Sequence, residues 1–451
     1  LLFLMANRRT YRIGTGAGFS SDRLDPAIDL VKRGQLDAIV FECVGERTLA
    51  FGHRDRAKDS NRGYNGLLEK RLRALLALCH TNGTRLITNM GVANPAAAAK
   101  IAHQIGQELG LNGLRIAAVT GDDVSALIHN DSKLSEPACT VGETERSVIG
   151  ANAYLGSDAI IMALEEDAHV VITGRVADPS LFLAPIQHNF DWPAQDWSRL
   201  GAGTLVGHLM ECAAQVTGGY FVDPGYKSVP NLAYVGFPLA EVNCDGSAVI
   251  TKLAGTGRNV STQTVKEQML YEVHNPSAYL TPDVVADFSG VEISDEGNDR
   301  VRVAGAKGTS RPSELKVTVA FDGGYLAEAE VSYAGPGAAE RASLAADIVK
   351  DRIKQVHGID EPCRTDLIGL NAIHGLEPET HSDIRDVRLR AAFRCDDHEI
   401  ADTLLWEVES LLCCGPAGGG GYRGRIEPSV LTYSTFVDRN QVAPETEMLI
   451  V

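Results

Sequence analysis

The first third of the chain alternates short apolar runs with segments of helical periodicity. The apolar runs are 11–13, 38–41, 85–87 and 116–119, and the helical segments between them are 26–31, 67–79 and 94–109. This strand–helix order predicts a parallel sheet whose strands are joined by right-handed crossovers. A fifth run, Val170–Thr173, continues the pattern. We therefore predict an α/β fold, with a parallel-sheet N-terminal domain that carries helices on both faces.

The pattern changes after about residue 230. Runs such as Arg300–Val303 and Leu315–Val319 alternate apolar and polar residues, and Asp322–Gly324 is typical of a β-hairpin turn. Helical segments follow later in the chain, which predicts an α+β C-terminal domain. The proline-rich stretch 224–238 is the best boundary. The predicted domains are 8–230, an α/β domain with a site at its strand ends, and 231–451, an α+β domain with a glycine-rich loop at 415–421.

Small, acidic or amide residues follow each of the first four apolar runs. They are Gly14–Gly18 after the first run, Glu42 after the second, Asn89 after the third, and Asp122 with Asp123 after the fourth. In an open parallel sheet, ligands bind outside the carboxyl ends of the strands. The sequence therefore predicts that these residues converge on one ligand site at that edge.

The glycine run has three interpretations. Gly14, Gly16 and Gly18 form G-x-G-x-G, which departs from the dinucleotide fingerprint G-x-G-x-x-G, although Glu42 lies at about the distance of its acidic residue. The more general interpretation is a loop whose backbone N–H groups face an anionic ligand. Glycines at strand-to-helix turns also serve packing alone.

Acidic and basic residues near the predicted strand ends allow several roles. Asp122 and Asp123 can bind a divalent metal, share a proton or cap the next helix. Arg175 and Asp178, after the fifth strand, can clamp a carboxylate or pair with each other. His208 and Glu211 lie three apart, so they share one helix face, either as metal ligands or as polar residues at an interface.

The run Gly418–Gly421 is unusual because successive glycines carry a large entropic penalty on folding. Gly418, Gly419 and Gly420 therefore suggest backbone that lies close to a substrate, with a flexible surface loop as the alternative.

Composition limits the partners. The formal net charge of −17 argues against nucleic-acid binding, which relies on clustered Lys and Arg. No apolar stretch approaches the roughly 18 residues of a membrane helix. The nine cysteines are scattered rather than spaced as a metal site or a disulfide framework, so a reducing cytoplasm is the expected location.

Several blocks of the sequence, in matching order from about Tyr11 to Asn440, resemble the acyclic terpene utilisation (AtuA-like) family. They are Arg12–Gly14, Gly18–Ser20, Phe41–Cys43, Glu46–Thr48, Ile87–Gly91, Asn94–Pro95, Ala118–Asp123, Thr173–Asp178, Tyr279–Val284 and Gly415–Gly420. The resemblance implies catabolism of branched or terpenoid acids, largely as coenzyme A thioesters. Some family members carry an additional small C-terminal domain, so it also implies a separate small subunit that supplies this part.

We therefore predict a cytoplasmic, homo-oligomeric enzyme of the lyase or hydro-lyase class that acts on a small anionic substrate. Glu42 or the pair Asp122 and Asp123 would be the general base, and Asn89 and Asn94 would orient a carbonyl. The glycine run, Asp178 and Arg175 would hold the anionic group. The cofactor is unknown, with coenzyme A as part of the substrate and a divalent metal as the two options. The alternatives are an NAD(P)- or nucleotide-dependent oxidoreductase and a non-catalytic subunit that binds acyl thioesters.

Overall fold

The computed structural model describes residues 10–257, 259–375 and 384–451. The chain divides into two compact units. The smaller unit is Phe321–Leu431, and the larger unit comprises the chain up to Ala320 together with Thr432–Val451. The predicted border at residue 230 lies within the larger unit, and residues 8 and 9 of the predicted first domain lie outside the described residues.

The described residues form mixed α and β structure. The strands are β1 (Thr10–Ala17), β2 (Ala38–Phe41), β3 (Arg85–Thr88), β4 (Arg115–Thr120), β5 (Val148–Ala153), β6 (Val170–Thr173), β7 (Pro238–Asn243), β8 (Ala248–Lys252), β9 (Tyr279–Leu280), β10 (Val285–Asp287), β11 (Glu292–Asp295), β12 (Val301–Ala304), β13 (Lys307–Thr309), β14 (Glu314–Ala334), β15 (Arg364–Ile368), β16 (Asp386–Cys395), β17 (Gly420–Asp438) and β18 (Glu445–Ile450).

The α-helices alternate with strands in the first half of the chain and are sparser in the second half. They are α1 (Asp25–Arg33), α2 (Glu46–Lys58), α3 (Leu68–Asn82), α4 (Pro95–Glu108), α5 (Ser157–Glu165), α6 (Ser180–Asn189), α7 (Trp197–Met210), α8 (Thr262–Leu270), α9 (Ala338–Asp351) and α10 (His398–Cys414). In the described residues, none of the helices has both the length and the apolar character needed to cross a membrane.

A ten-stranded mixed sheet forms the centre of the larger unit, in the order β11-β12-β8-β7-β1-β2-β3-β6-β4-β18. The five strands from β1 to β4 in this order are parallel, and β7 and β18 join their two sides antiparallel. The predicted α/β class with a parallel-sheet core is confirmed. The carboxyl ends of β1, β2, β3, β6 and β4 consequently meet at one edge.

Helices cover both faces of this sheet, as predicted. Along β2, Ala38 and Val40 pack in one core with residues of α5, α6 and α7. Ile39 and Phe41 point to the other side and pack with residues of α1, α3 and α4. Alternate residues of a strand face opposite sides of a sheet, so a fully apolar strand such as β2 requires a core on each side.

The smaller unit has the predicted α+β composition. Within it, β16 pairs antiparallel with β15 and with β14. Apolar residues of β14 and β16 pack against α9 and α10 in one core. The intervening residues form charged cross-strand pairs, such as Arg388 with Glu330 and Arg390 with Glu328.

Two local predictions are wrong. Asp322–Gly324 is not a hairpin turn, because β14 continues through it from Glu314 to Ala334. A side chain at Gly323 would come within 2.9 Å of the Ser429 backbone, so this glycine permits a close backbone approach. The glycine run Gly14–Gly18 is not a loop that follows β1, because β1 extends to Ala17.

Candidate active site

A cavity of about 730 Å³ in the larger unit lies where β1, β2 and β6 end. Gly18 follows β1, Glu42 follows β2, and Arg175 and Asp178 follow β6. The other polar and charged walls include Asp22, Arg23, Glu46, Glu211, Gln215, Tyr271 and Glu272, and the apolar walls include Phe19, Val44, Leu232, Val235 and Phe237. The topology thus brings together part of the predicted strand-end site.

Glu42 is a buried carboxyl with a strongly raised pKa. Its Oε1 accepts hydrogen bonds from the Val44 backbone N–H at 2.9 Å and from Asn89 Nδ2 at 3.1 Å. Burial and the nearby charge of Asp178 raise the pKa of Glu42 to about 8, although these hydrogen bonds and Arg175 oppose the shift. Because Oε1 already accepts two N–H groups, the proton of the neutral acid belongs on Oε2. Glu42 can therefore hold a proton at neutral pH.

Asn89 positions Glu42. Its side chain is fully buried, and its Oδ1 accepts the Cys43 backbone N–H at 2.7 Å while its Nδ2 donates to Glu42. These two contacts fix the amide orientation. Asn89 is not among the residues that line the cavity, so the structure places it behind Glu42 rather than beside a ligand.

Arg175 is a buried cation at the end of β6. Its guanidinium donates to the Val44 carbonyl, stacks on the Tyr154 ring at 3.9 Å, and lies 3.3 Å from Asp178 Oδ1. Burial opposes its charge, but the attraction of Asp178, Tyr154 and Glu46 outweighs burial and raises the pKa of Arg175 above its usual value. Of the two roles predicted for Arg175 and Asp178, the structure shows their mutual pairing.

Glu211 and Asp178 add two further carboxyls to the cavity wall. Burial raises the pKa of both, and the charge of Asp178 adds to the effect at Glu211. His208 Nδ1 lies 2.9 Å from Glu211 Oε1, and burial lowers the pKa of His208 to about 4. The imidazole is therefore neutral, and the pair is held by a hydrogen bond rather than by full charges.

Several buried polar atoms around the cavity lack a hydrogen-bond partner among the described residues. They are Nε of Arg175, Nε2 of His208 and Oε2 of Glu211; Oδ1 of Asp178 makes the ion pair with Arg175 but no hydrogen bond. Buried polar groups in folded proteins are normally paired with protein or water. Such a concentration of unpaired donors and acceptors in one place indicates a site that binds a polar ligand.

Asp122 lies near this site but not in its wall. Its Oδ2 accepts the Arg175 backbone N–H at 2.7 Å and Asn152 Nδ2 at 2.8 Å. Burial raises the pKa of Asp122 to about 6, against the effect of these hydrogen bonds. A side chain at Gly174 would come within 2.3 Å of Asp122 Oδ2, which explains the glycine. Asp122 therefore holds the backbone from which Arg175 projects.

Asp123 and Asn94 cap local structure. Asp123 is exposed, and its Oδ1 accepts from the backbone and the hydroxyl of Ser125, at the start of a 3-10 turn. Asn94 Oδ1 accepts from Ala97 at the N-terminus of α4, and its Nδ2 donates to two loop carbonyls. Neither residue lines the cavity.

The glycine run is shaped by packing. A side chain at Gly14 would meet Leu36 at 2.7 Å, and one at Gly16 would meet the Phe41 ring at 2.3 Å. Both glycines lie inside β1, so the run does not form the open loop of a dinucleotide site. Gly18 does line the cavity, but its N–H donates to Asp22 at 3.0 Å.

The C-terminal glycines belong to the smaller unit. Gly418 has a left-handed backbone with φ of 77°, Gly419 packs near Tyr333, and Gly420 begins β17. The cavity walls are all residues of the larger unit and do not include these three glycines.

No group of three or more His, Cys, Asp or Glu side chains is arranged to hold a metal ion in residues 10–257, 259–375 and 384–451. Among the cavity carboxyls, burial raises the pKa values of Glu42, Asp178 and Glu211, whereas the pKa of Glu46 is lowered. The arrangement is suited to proton transfer.

The sequence prediction of catalytic and binding residues did not include Glu211, Glu46 or Tyr154. The spacing of His208 and Glu211 predicts that they share a helix face, as metal ligands or at an interface, but it does not indicate this cavity. Glu46 lies in the first turn of α2, and the hydrogen bond from Tyr154 and the charge of Arg175 lower its pKa to about 2 despite burial. A sequence carries no direct sign of this contact because Glu46 and Tyr154 are far apart in the chain.

Comparison with known proteins places the chain in a family. Neither the curated proteins nor the solved structures gave a significant match. The model of the acyclic terpene utilisation family protein AtuA matches residues 11–448, nearly the whole chain. This range contains every residue of the cavity walls, and the chain belongs to the acyclic terpene utilisation (AtuA) family.

Proposed function

We propose that this protein is a catabolic enzyme of acyclic terpene utilisation, and that it catalyses a lyase or hydro-lyase reaction on a branched carboxylic acid or its coenzyme A thioester. The observation that carries the proposal is the buried Glu42, whose pKa is raised to about 8, in one cavity with Asp178 and Arg175. General acid–base catalysis requires groups with a pKa near the operating pH.

Glu42 and Asp178 are suited to opposite roles. Their charges repel, so the two carboxyls favour a state in which one is protonated and the other ionised. Arg175 lies 3.3 Å from Asp178 and favours ionisation there. We assign Glu42 as the general acid and Asp178 as the general base.

In a dehydration, Asp178 takes the proton from the carbon next to the carbonyl, and the electron pair of that C–H bond forms the new C=C bond. The hydroxyl on the following carbon leaves with the proton of Glu42 as water. Hydration reverses both transfers. Atoms and charge balance without an oxidant or a reductant.

The supporting residues fix this pair. Asn89 orients Glu42, Asp122 holds the Arg175 backbone, and Glu211 is held by His208. In this proposal Asn89 and Asp122 are positioning residues rather than groups that contact substrate.

Charge in the cavity constrains the substrate. The residues that line it include six acidic residues, Asp22, Glu42, Glu46, Asp178, Glu211 and Glu272, against Arg23 and Arg175. An anionic substrate requires that part of this acidic charge be neutralised. The raised pKa values of Glu42 and Glu211 favour their neutral forms, and Arg175 offsets the charge of Asp178. The volume of about 730 Å³ falls in the range of small-molecule sites.

The test is turnover of branched 3-hydroxyacyl thioesters, followed through absorbance of the conjugated product. We expect Glu42→Gln and Asp178→Asn each to lower kcat by about 100-fold or more. Asp123→Asn is the matched control, because this carboxyl caps a turn away from the cavity, and it should retain wild-type activity. Full activity in both cavity variants would overturn the assignment.

The alternatives give different results in the same preparation. Tight binding of NAD(P)H with hydride transfer would favour an oxidoreductase. Binding of acyl thioesters without turnover, in the wild type and with a small partner added, would favour a non-catalytic subunit.

A further inference from the structure

A second cavity lies beside the candidate active site. It has a volume of about 370 Å³ and shares Asp178 with the larger cavity. Its walls are largely apolar and include Pro179, Tyr279, Leu280, Pro282, Leu315 and Phe436. The mechanism proposed above makes no use of this space.

Tyr154 and Arg175 lie where the two cavities come close to each other. Tyr154 lines the second cavity, and the guanidinium of Arg175, which lines the first, lies 3.9 Å from its ring. Lys316, which also lines the second cavity, has its Nζ 4.8 Å from the same ring. The Tyr154 hydroxyl donates to Glu46, a wall residue of the first cavity. The two cavities therefore meet at Asp178, which lines both. The second cavity also has Glu314 and Lys316 in its walls, but most of its wall residues are apolar.

We propose that the second cavity binds the branched apolar chain of the substrate while its carbonyl end reacts at Asp178. This inference rests on the proposed function, because it assigns the reacting end to the charged cavity. An apolar chain in the charged cavity would displace water from carboxylates that need it, whereas burial of each CH₂ against apolar walls is favourable. A volume of about 370 Å³ is more than twice the roughly 150 Å³ that suffices for benzene in an apolar cavity.

Chain-length dependence of binding tests the inference. The probes are citronellate, a branched ten-carbon acid, and isovalerate, a branched five-carbon acid, titrated into the full chain by calorimetry. We expect wild-type protein to bind citronellate at least about tenfold more tightly than isovalerate, because the additional carbons are buried.

Leu280 and Phe436 are suitable for substitution because they line the cavity but remain 69% and 53% exposed, so the fold does not depend on them. Leu280→Asp and Phe436→Ala should each remove most of the preference for citronellate and change isovalerate affinity by less than about twofold. Leu344→Asp is the matched control, since this leucine is 54% exposed on α9 of the smaller unit.

A preference for citronellate that persists in both variants, or is absent from the wild type, would overturn the inference. The proposed function can be overturned independently of this inference. If citronellate preference behaves as expected while Glu42→Gln turns over substrate normally, the chain-binding cavity stands and the assignment of Glu42 falls. If Glu42→Gln is inactive but chain length has no effect on binding, the assignment of Glu42 stands and the chain-binding cavity falls.

Discussion

At the scale of single residues, Glu42 is the most informative group. Its neutral form is the one that the folded protein favours, because burial and Asp178 raise its pKa from the usual value near 4.5 to about 8. Its contribution to stability is therefore complete below the unfolded pKa and is lost as the pH rises through about 8.

Glu42→Gln should remove this pH dependence, since glutamine mimics the neutral acid. The free energy of unfolding of the variant relative to wild type should rise by a few kcal/mol between about pH 5 and pH 9, because each unit of pKa shift is worth about 1.4 kcal/mol. Denaturant titrations at several pH values measure it. A difference between the two proteins that does not change with pH would contradict the buried neutral acid, and Asp123→Asn is the control.

The pH dependence of the reaction follows from the same residue. A general acid must be protonated, so kcat/KM should fall as the pH rises through about 8. The descending limb should disappear from the residual activity of Glu42→Gln. A limb that persists unchanged in the variant would assign that ionisation to another group.

At the scale of elements, the strand ends were largely predictable from the sequence. The runs that became β2, β3, β4 and β6 are short and apolar, and their periodicity and flanking residues locate both ends. The side of the sheet edge to which each polar residue points was not predictable. Glu42 lines the cavity, while Asp122 turns to the Arg175 backbone and Asp123 to Ser125, because those contacts depend on residues distant in sequence.

The role of the glycine run in β1 was likewise not predictable from the sequence. Glycine is required there by the approach of the Phe41 ring to Gly16, which sequence spacing cannot distinguish from a ligand loop. Gly16→Ala should lower the free energy of unfolding by about 1–3 kcal/mol through overpacking. Gly66→Ala is the control, because nothing lies within 4 Å of a side chain there. A Gly16→Ala protein of wild-type stability with a raised KM would instead indicate a ligand contact.

At the scale of the whole molecule, the smaller unit carries an ionic cluster that is independent of the proposed chemistry. The buried Glu407 accepts from Arg352 through both oxygens, at 2.6 and 3.0 Å, and lies 2.6 Å from His357 Nε2. The hydrogen bond from Arg352 is the main cause of a lowered Glu407 pKa, although burial opposes the shift.

A lowered carboxyl pKa stabilises the fold above the unfolded value, and this contribution is lost as the pH falls through the folded value. Glu407→Gln should therefore have a lower thermal unfolding midpoint than wild type near pH 7, and this difference should disappear at acidic pH. Its kinetic constants should be those of wild type. Glu409→Gln, on the exposed side of the same helix, should change neither the unfolding midpoint nor the kinetic constants. A catalytic defect in Glu407→Gln would show that this cluster supports the reaction.

The α/β class, the parallel core and the α+β character of the later part follow from periodicity alone. The position of the site required the fold, because the cavity combines residues after β1, β2 and β6 with Glu211 and Glu272 from later segments. Pairing of distant segments, as between Glu46 and Tyr154, is decided by tertiary packing rather than by local pattern.

The central claim is that Asp178 removes a proton next to a carbonyl while Glu42 supplies one. Exchange of that substrate proton with solvent deuterium, followed by NMR on a branched acyl thioester in D₂O, tests it most directly. We expect exchange with wild-type protein and with Asp123→Asn, and a rate at least about 100-fold lower with Asp178→Asn. Exchange at the wild-type rate in Asp178→Asn would contradict the account.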